Sequence, residues 1–323
     1  MFFIRGGFLV RPAVELDHEI YLIDTLYKSI FEYTGVYLIK GEKIALVETG
    51  ATPGIPNILA GLRFLGVQKE EVKYVIITHV HLDHGGGIGI LIKELPEAKV
   101  IVHPRGAKHI INPSRLVTAV KGLAEENFDK YYGEVLPVPE ERIFTVGDEF
   151  TLNLGGGREL IFYYTSGHAR HHLCIYDIVS KGIFIGDALG IRFPFLSKLL
   201  GYDYPFPITA PTEYDPVAYF TTLDKISKLE LQYIYFTHFG CASNPYQTIK
   251  YGREMVETFT DIGRQVHNAE GTIQDIEIKL RDFIKADLSR RGLDDKILSS
   301  VNLDVYDLKM SARGLAHYFG IKQ

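Results

Sequence analysis

The residues best suited to chemistry in this chain are packed into six positions, His79-x-His81-x-Asp83-His84. Imidazole and carboxylate are the usual ligands of a divalent cation, and four of them this close are hard to explain otherwise. The cluster follows the apolar, β-branched run Tyr74-Val75-Ile76-Ile77-Thr78. That run is expected to be a strand buried on both faces. Side chains two apart on a strand share a face, so His79 and His81 can point the same way. The turn that follows brings in Asp83 and His84. Gly85-Gly86-Gly87 then lets the backbone curl closely into a helix expected to reach about Leu95. An isolated histidine is more often a satisfied core residue. This density of ligand types instead predicts a metal site, and a catalytic site needs further donors and an open position.

Three more candidates close β-rich runs. His168 lies in Thr165-Ser166-Gly167-His168, Asp187 ends Ile183-Phe184-Ile185-Gly186-Asp187, and His238 ends Tyr235-Phe236-Thr237-His238. None would stand out alone; together they predict donors gathered on one rim of the sheets. The expected metal ligands are therefore His79, His81, Asp83, His84, His168, Asp187 and His238. Donors limited to nitrogen and oxygen suit Zn²⁺ and tolerate Fe or Mn.

Positioning this set requires sheets. Residues 2–10, 19–26, 35–40 and 43–48 read as strands, with Gly41-Glu42 as a tight hairpin turn. Ile55–Leu65 has helical spacing closed by Gly66. Lys99–His103 reads as a strand and 105–122 as one helix. Val135–Gly182 reads as strands and turns, with Gly155-Gly156-Gly157 at a hairpin tip. Pro216–Lys228 reads as a helix and Tyr233–Thr237 as the last strand. From Pro245 the pattern is helical, and Thr272 with Asp275 makes an N-terminal cap. Strands and helices in this order predict two packed sheets with helices outside and a helical C-terminal elaboration. The expected division is a catalytic domain over 1–244 and a helical extension over 245–323.

The 323 residues, 46% of them hydrophobic, are enough for a sizeable core. A net charge of −5 and no long basic run argue against nucleic acid as a partner. The two cysteines, Cys174 and Cys241, lie in no C-x-x-C pair, so neither a disulfide framework nor a thiolate zinc site is expected. With no leader or membrane-spanning run read from the sequence, the expected compartment is the cytoplasm. The absence of Trp and the scarcity of Gln hint at a thermophilic source.

The order H-x-H-x-D-H, Gly-His, Gly-Asp and a final His resembles the metallo-β-lactamase superfamily. It is most similar to dinuclear hydrolases of the glyoxalase II and acyl-homoserine-lactone lactonase type, over about residues 20–245. The resemblance implies an α+β fold, an αββα four-layer sandwich of two mixed β-sheets flanked by helices. It implies that His79, His81 and His168 hold one metal, that Asp83, His84 and His238 hold a second, and that Asp187 bridges both. This chain departs from the family in two places. Glu48 stands where the family usually has an aspartate that orients a ligand. Gly167-His168-Ala169-Arg170-His171-His172 stands where the family has Gly-His-Thr-Pro-Gly-His. His172 matches the family's second histidine there, whereas Arg170 and His171 do not match.

The expected activity is hydrolysis of an ester, thioester or lactone by hydroxide activated between two divalent metal ions, with Asp83 accepting a proton. The substrate is a small molecule. Residues 189–211 are crowded with aromatics and prolines. They form either a flap over an apolar substrate or a surface packed on the C-terminal helices or on the second subunit of a homodimer. Arg170, Tyr202 and Tyr204 are the candidate substrate-binding residues, a tyrosine serving as oxyanion donor. Three other readings share the scaffold: a phosphodiesterase of ribonuclease type, which needs an Arg or Lys clamp such as Arg170 and Arg192; a mono-iron persulfide dioxygenase-like enzyme; and a non-catalytic binding module.

Overall fold

The computed structural model describes residues 3–5, 8–294, 296–297 and 307–322. Position 1, positions 2, 6 and 7 of the expected N-terminal strand, and positions 295, 298–306 and 323 of the expected helical tail lie outside the described residues. The chain divides into two compact units, each discontinuous in sequence. The first is Met1–Tyr164, His171–Gly186 and Tyr235–Cys241; the second is Thr165–Arg170, Asp187–Ile234 and Ala242–Gln323.

In the first unit, β1 (Phe3–Arg5) and β2 (Phe8–Val10) form an antiparallel pair. A seven-stranded sheet follows in chain order: β3 (Val14–Glu15), β4 (Ile20–Asp24), β5 (Gly35–Ile39), β6 (Ile44–Val47), β7 (Val72–Ile76), β8 (Lys99–Val102) and β9 (Ile143–Thr145). Pairing is antiparallel from β3 to β6 and parallel from β6 to β9. The switch occurs because β6 and β7 are joined by a crossover through the helix Ile55–Phe64 rather than by a hairpin. Strands β5 and β6 are buried along their whole length, as their unbroken apolar runs require.

One face of this sheet carries helices. Ile55, Ile58 and Leu62 of the helix Ile55–Phe64, and Ile88, Leu91 and Ile92 of the helix Ile88–Glu94, join Val36, Leu38, Leu46, Val75 and Val100 in a single core. The opposite face meets the second sheet, whose order is β10 (Phe150–Gly155), β11 (Arg158–Tyr164), β12 (Leu173–Asp177), β13 (Gly182–Gly186), β14 (Tyr233–Phe236) and β15 (Gly240–Ala242). Tyr37 on β5 marks the contact. Its ring lies edge-on to Phe184 at 5.2 Å, and its hydroxyl reaches the carbonyl oxygens of Phe236 at 2.6 Å and Gly240 at 2.8 Å. At one end Arg158 grips Asp177 through two bonds of 3.0 and 2.7 Å, and Arg158 also donates to the His18 carbonyl at 2.7 Å. This bidentate pair satisfies a charge that would be costly to bury alone.

The second unit is helical, with helices at Pro194–Leu200, Pro216–Ile226, Pro245–Asn268, Ile273–Arg290 and Leu308–Phe319. Ile276, Leu280, Ile284 and Leu288 recur every fourth residue and are fully buried, the stripe of a helix packed on one face. Thr272 and Asp275 form the expected capping box. The aromatic segment packs on these helices. Tyr204 donates to Asp287, Arg291 donates to the Tyr202 hydroxyl at 2.9 Å, and Thr209 donates to the Ser311 carbonyl at 2.6 Å. Burial, then the bond to Asp287, pushes the Tyr204 hydroxyl far above the usual phenol range.

Several boundaries differ from the sequence reading: 2–10, read as one strand, holds the antiparallel strands β1 and β2, and the helix from Pro216 ends at Ile226. Residues 105–122 are two helices, Pro104–Ile111 and Ser114–Ala124, because Pro113 forces Asn112 out of helical conformation. Segment 189–211 contains the helix Pro194–Leu200, closed by Gly201 at φ 76°. Strand β7 ends at Ile76, so Thr78 and His79 already lie in the turn beyond it. Among the described residues, no helix is long and apolar enough to cross a membrane.

Candidate metal centre

In the first unit the chain leaves β7 and passes through His79 and His81 outside regular secondary structure before entering the short helix Leu82–Gly85. The His84 and Gly85 amides donate to the His81 carbonyl at 3.0 and 2.8 Å, and Thr49 Oγ1 donates to the His84 carbonyl at 2.9 Å. These bonds bring the early motif together as expected. His79 Nε2 lies 2.9 Å from His81 Nδ1, and the His79 and His84 rings are 4.0 Å apart. His238, beyond β14, completes the unit's donors: its Nε2 is 3.7 Å from Asp83 Oδ2, and its ring is 5.2 Å from that of His84. The ligand atoms of Asp83, His84 and His238 all lie within 4.8 Å of one another.

The ring orientations follow from buried acceptors. Glu48 Oε1 sits 3.0 Å from His84 Nδ1, and a carboxylate can only accept, so His84 carries its proton there. Thr78 Oγ1 donates to the same carboxylate oxygen at 2.5 Å. It must therefore accept from His79 Nδ1, 3.0 Å away. His238 Nδ1 faces the Tyr33 carbonyl at 3.2 Å and must donate to it. In all three rings Nδ1 is the protonated nitrogen, which puts the lone pair on Nε2, where a cation can be bound.

In the second unit, His168 Nδ1 lies 2.9 Å from the Ile208 carbonyl, which sets the same tautomer, and His168 Nε2 is 3.3 Å from Asp187 Oδ2. Gly167 precedes His168 at φ 134°, and a Cβ there would meet the Tyr219 Cα at 2.5 Å. This close approach lets the helix Pro216–Ile226 clamp the turn, with Thr222 donating to the Ser166 carbonyl at 2.6 Å. Tyr219 in turn donates to the Asp187 carbonyl at 3.0 Å. Arg170 is exposed, and its backbone N–H donates to Glu213 at 3.1 Å. Arg192 is paired with Asp203 at 2.6 Å.

Sequence reasoning singled out Glu48 but missed Thr78, Thr237 and Tyr33, which hold the donors. A hydroxyl one residue before a metal-binding histidine, or next to the final one, is a usable signal; a backbone carbonyl such as that of Tyr33 has none. His171 is buried, with its ring 5.8 Å from that of His81 and 6.1 Å from that of His109. His172 is buried 5.1 Å from the His79 ring. Burial, with Asp83 as the next cause, pushes the Tyr27 hydroxyl well above its ordinary range.

Every donor in these sets is an imidazole nitrogen or a carboxylate oxygen, and His79, His84, His168 and His238 each have Nδ1 held by a protein acceptor, so the residues fit a metal-binding site. Comparison with known proteins agrees. Residues 31–238 match the sequence model of the metallo-beta-lactamase superfamily. The chain is 28% identical over 215 residues to a metallo-beta-lactamase fold-containing protein of Sulfurisphaera tokodaii, a match covering 66% of this chain and 75% of that protein. It is 29% identical over 140 residues to a flavo-diiron protein of Clostridium acetobutylicum, covering 39% of this chain and 34% of that protein. Among solved structures, a metallo-beta-lactamase family protein from Thermus thermophilus superposes with a TM-score of 0.67 at 19% identity, covering 94% of this chain and 93% of that one. An archaeal superfamily protein from Sulfolobus tokodaii superposes with a TM-score of 0.61 at 23% identity, covering 76% and 87%. Two mixed sheets with helices and C-terminal helices, together with a family match over most of the chain, carry one conclusion: this chain belongs to the metallo-β-lactamase superfamily.

Proposed function

We propose that this protein is a metal-dependent hydrolase of an ester, thioester or lactone, with a dinuclear site. The observation that carries the reading is the shared tautomer of His79, His84, His168 and His238, each with Nδ1 committed to a protein acceptor and its lone pair on Nε2. In this reading His79, His81 and His168 hold one cation, Asp83, His84 and His238 hold the other, and Asp187 serves both. A divalent pair, Zn²⁺ being the natural choice for such donors, lowers the pKa of water and polarises a substrate oxygen. The side chain of Asp83 is 26% exposed and that of Asp187 3%. Asp83 is therefore the carboxylate suited to take a proton and return it to solvent. Glu48 and the Tyr33 carbonyl keep His84 and His238 aimed while charge develops.

A redox use of iron is a second reading, prompted by the flavo-diiron relative. The match spans only about a third of that protein's length. The phosphodiesterase reading is weakened by the engagement of Arg192 with Asp203. The test is metal content of protein purified without added metal, followed by assay on thioester, lactone and bis-(p-nitrophenyl) phosphate substrates. Two zinc per chain and turnover of a thioester or lactone are expected. Iron with no hydrolysis, or turnover of the phosphate compound alone, overturns the proposal.

A further inference from the structure

Residues 25–33, between β4 and β5, have an unusual backbone. Leu26, Lys28, Ser29 and Glu32 all adopt positive φ, between 54° and 60°. None is glycine, so each is held against its own preference. The loop is tied at its base. Asp24 accepts from the Leu26 and Glu32 amides, both at 2.8 Å, Thr25 and Thr34 hydroxyls meet at 2.5 Å, and Asn57 donates to the Thr25 carbonyl at 2.9 Å.

What this conformation delivers is a file of rings ending at a metal-type donor. Tyr27, flanked by two of the left-handed residues, is 5% exposed and stacks on Tyr33 at 5.9 Å with 11° between planes. The Tyr33 ring is 5.6 Å from that of His238, and the Tyr33 backbone carbonyl accepts a hydrogen bond from His238 Nδ1. The Tyr132 ring lies 6.0 Å from that of Tyr27, tilted by 47°. The residue whose carbonyl meets His238 Nδ1 is thus also the residue whose ring links the stack to the His238 ring.

We propose that the loop of residues 25–33 is the positioning device of the second cation site, with Tyr27 and Tyr33 as positioning residues for His238. This rests on the dinuclear reading of the centre. His84 is held separately by Glu48 and His79 by Thr78, so loosening the loop acts on one cation and spares the other.

The test is titration of Zn²⁺ into metal-free protein, for the wild type, Tyr27→Phe and Tyr27→Leu. Loss of the stack in Tyr27→Leu should weaken the second equivalent by about 10- to 100-fold, with the first changed less than about twofold. Tyr27→Phe keeps the ring and should match the wild type. Equal weakening of both equivalents, or no weakening, overturns the proposal. Nitrogen-15 spectra of the His238 ring in metal-free protein give an independent readout. The wild type should show the Nδ1–H tautomer and Tyr27→Leu a mixture; an unchanged ring overturns the proposal whatever the stoichiometry. A wild type that takes up only one equivalent refutes the dinuclear reading, and the spectra then decide the role of the loop alone. Tyr132→Leu, at a half-buried position, removes the outer support with less risk to folding. It should move the His238 spectra the same way by a smaller amount, and unchanged spectra overturn the proposal.

Discussion

Glu48 Oε1 lies 3.0 Å from His84 Nδ1, and both side chains are wholly buried. The same carboxylate accepts from Thr78 Oγ1 at 2.5 Å and Thr237 Oγ1 at 3.1 Å. One side chain therefore ties together the ends of β6, β7 and β14, the last two of which precede five of the donors: His79, His81, Asp83, His84 and His238. Glu48 itself adopts φ 74°, a further cost accepted to aim the carboxylate inward.

Replacing Glu48 by Ala should destabilise the protein by about 3–5 kcal/mol, the range for breaking a buried charged network. It should also weaken metal binding about 10- to 100-fold. Glu48→Asp should recover only part of both losses, because the shorter side chain cannot span the same three partners. Chemical denaturation and metal titration read the two effects separately. Wild-type affinity in Glu48→Ala would show that the carboxylate does not orient the ligands.

Gly167→Ala should cost about 1–3 kcal/mol and reduce activity. The new methyl would meet Tyr219 backbone atoms at 2.5 to 2.7 Å, at a φ of 134° that other residues rarely adopt. Relief of this clash is expected to move His168 relative to Asp187. A thermal melt together with metal stoichiometry checks it; an unchanged melt refutes the clamp.

Tyr204→Phe should lower stability by about 1–3 kcal/mol, since Asp287 would lose a buried donor. The metal content should not change. Urea denaturation beside steady-state kinetics is the measurement. A fall in kcat with unchanged stability would instead support Tyr204 as a substrate contact.

His103 predicts a pH dependence of stability. Its Nδ1 accepts from the Arg105 amide at 3.0 Å, which requires that nitrogen unprotonated. Burial first, then the Arg105 charge, lowers its pKa from 6.5 to about 4. The unfolded chain thus takes up the proton before the folded one. The contribution is complete above about pH 6.5 and is lost as pH falls towards 4, up to at most about 3 kcal/mol. In His103→Asn, which keeps an acceptor at this helix cap, the decline between pH 7 and 4 should be shallower. Parallel slopes in the two proteins would count against it.

Much of the centre was legible from local pattern. The motif at residues 79–84, the Gly-His at 167–168, the Gly-Asp at 186–187 and His238 could be picked out because strand periodicity and glycine turns act over a few neighbours. The capping box at Thr272 and the hairpin at Gly155–Gly157 were readable for the same reason. Pro113 carried a break that the reading of 105–122 overlooked.

What only the tertiary structure decided is how those donors are aimed. The bond from Thr237 to Glu48 joins residues 189 apart in the chain, and that from His238 to Tyr33 joins residues 205 apart. Which acceptor meets which ring nitrogen depends on where two sheets place the ends of distant strands, and no local pattern records that. The fate of Tyr202 and Tyr204 was open for the same reason. Their composition suited a flap or a packed surface equally, and only the tertiary structure brings Asp287 and Arg291, at the end of a helix more than 80 residues later, to their hydroxyls.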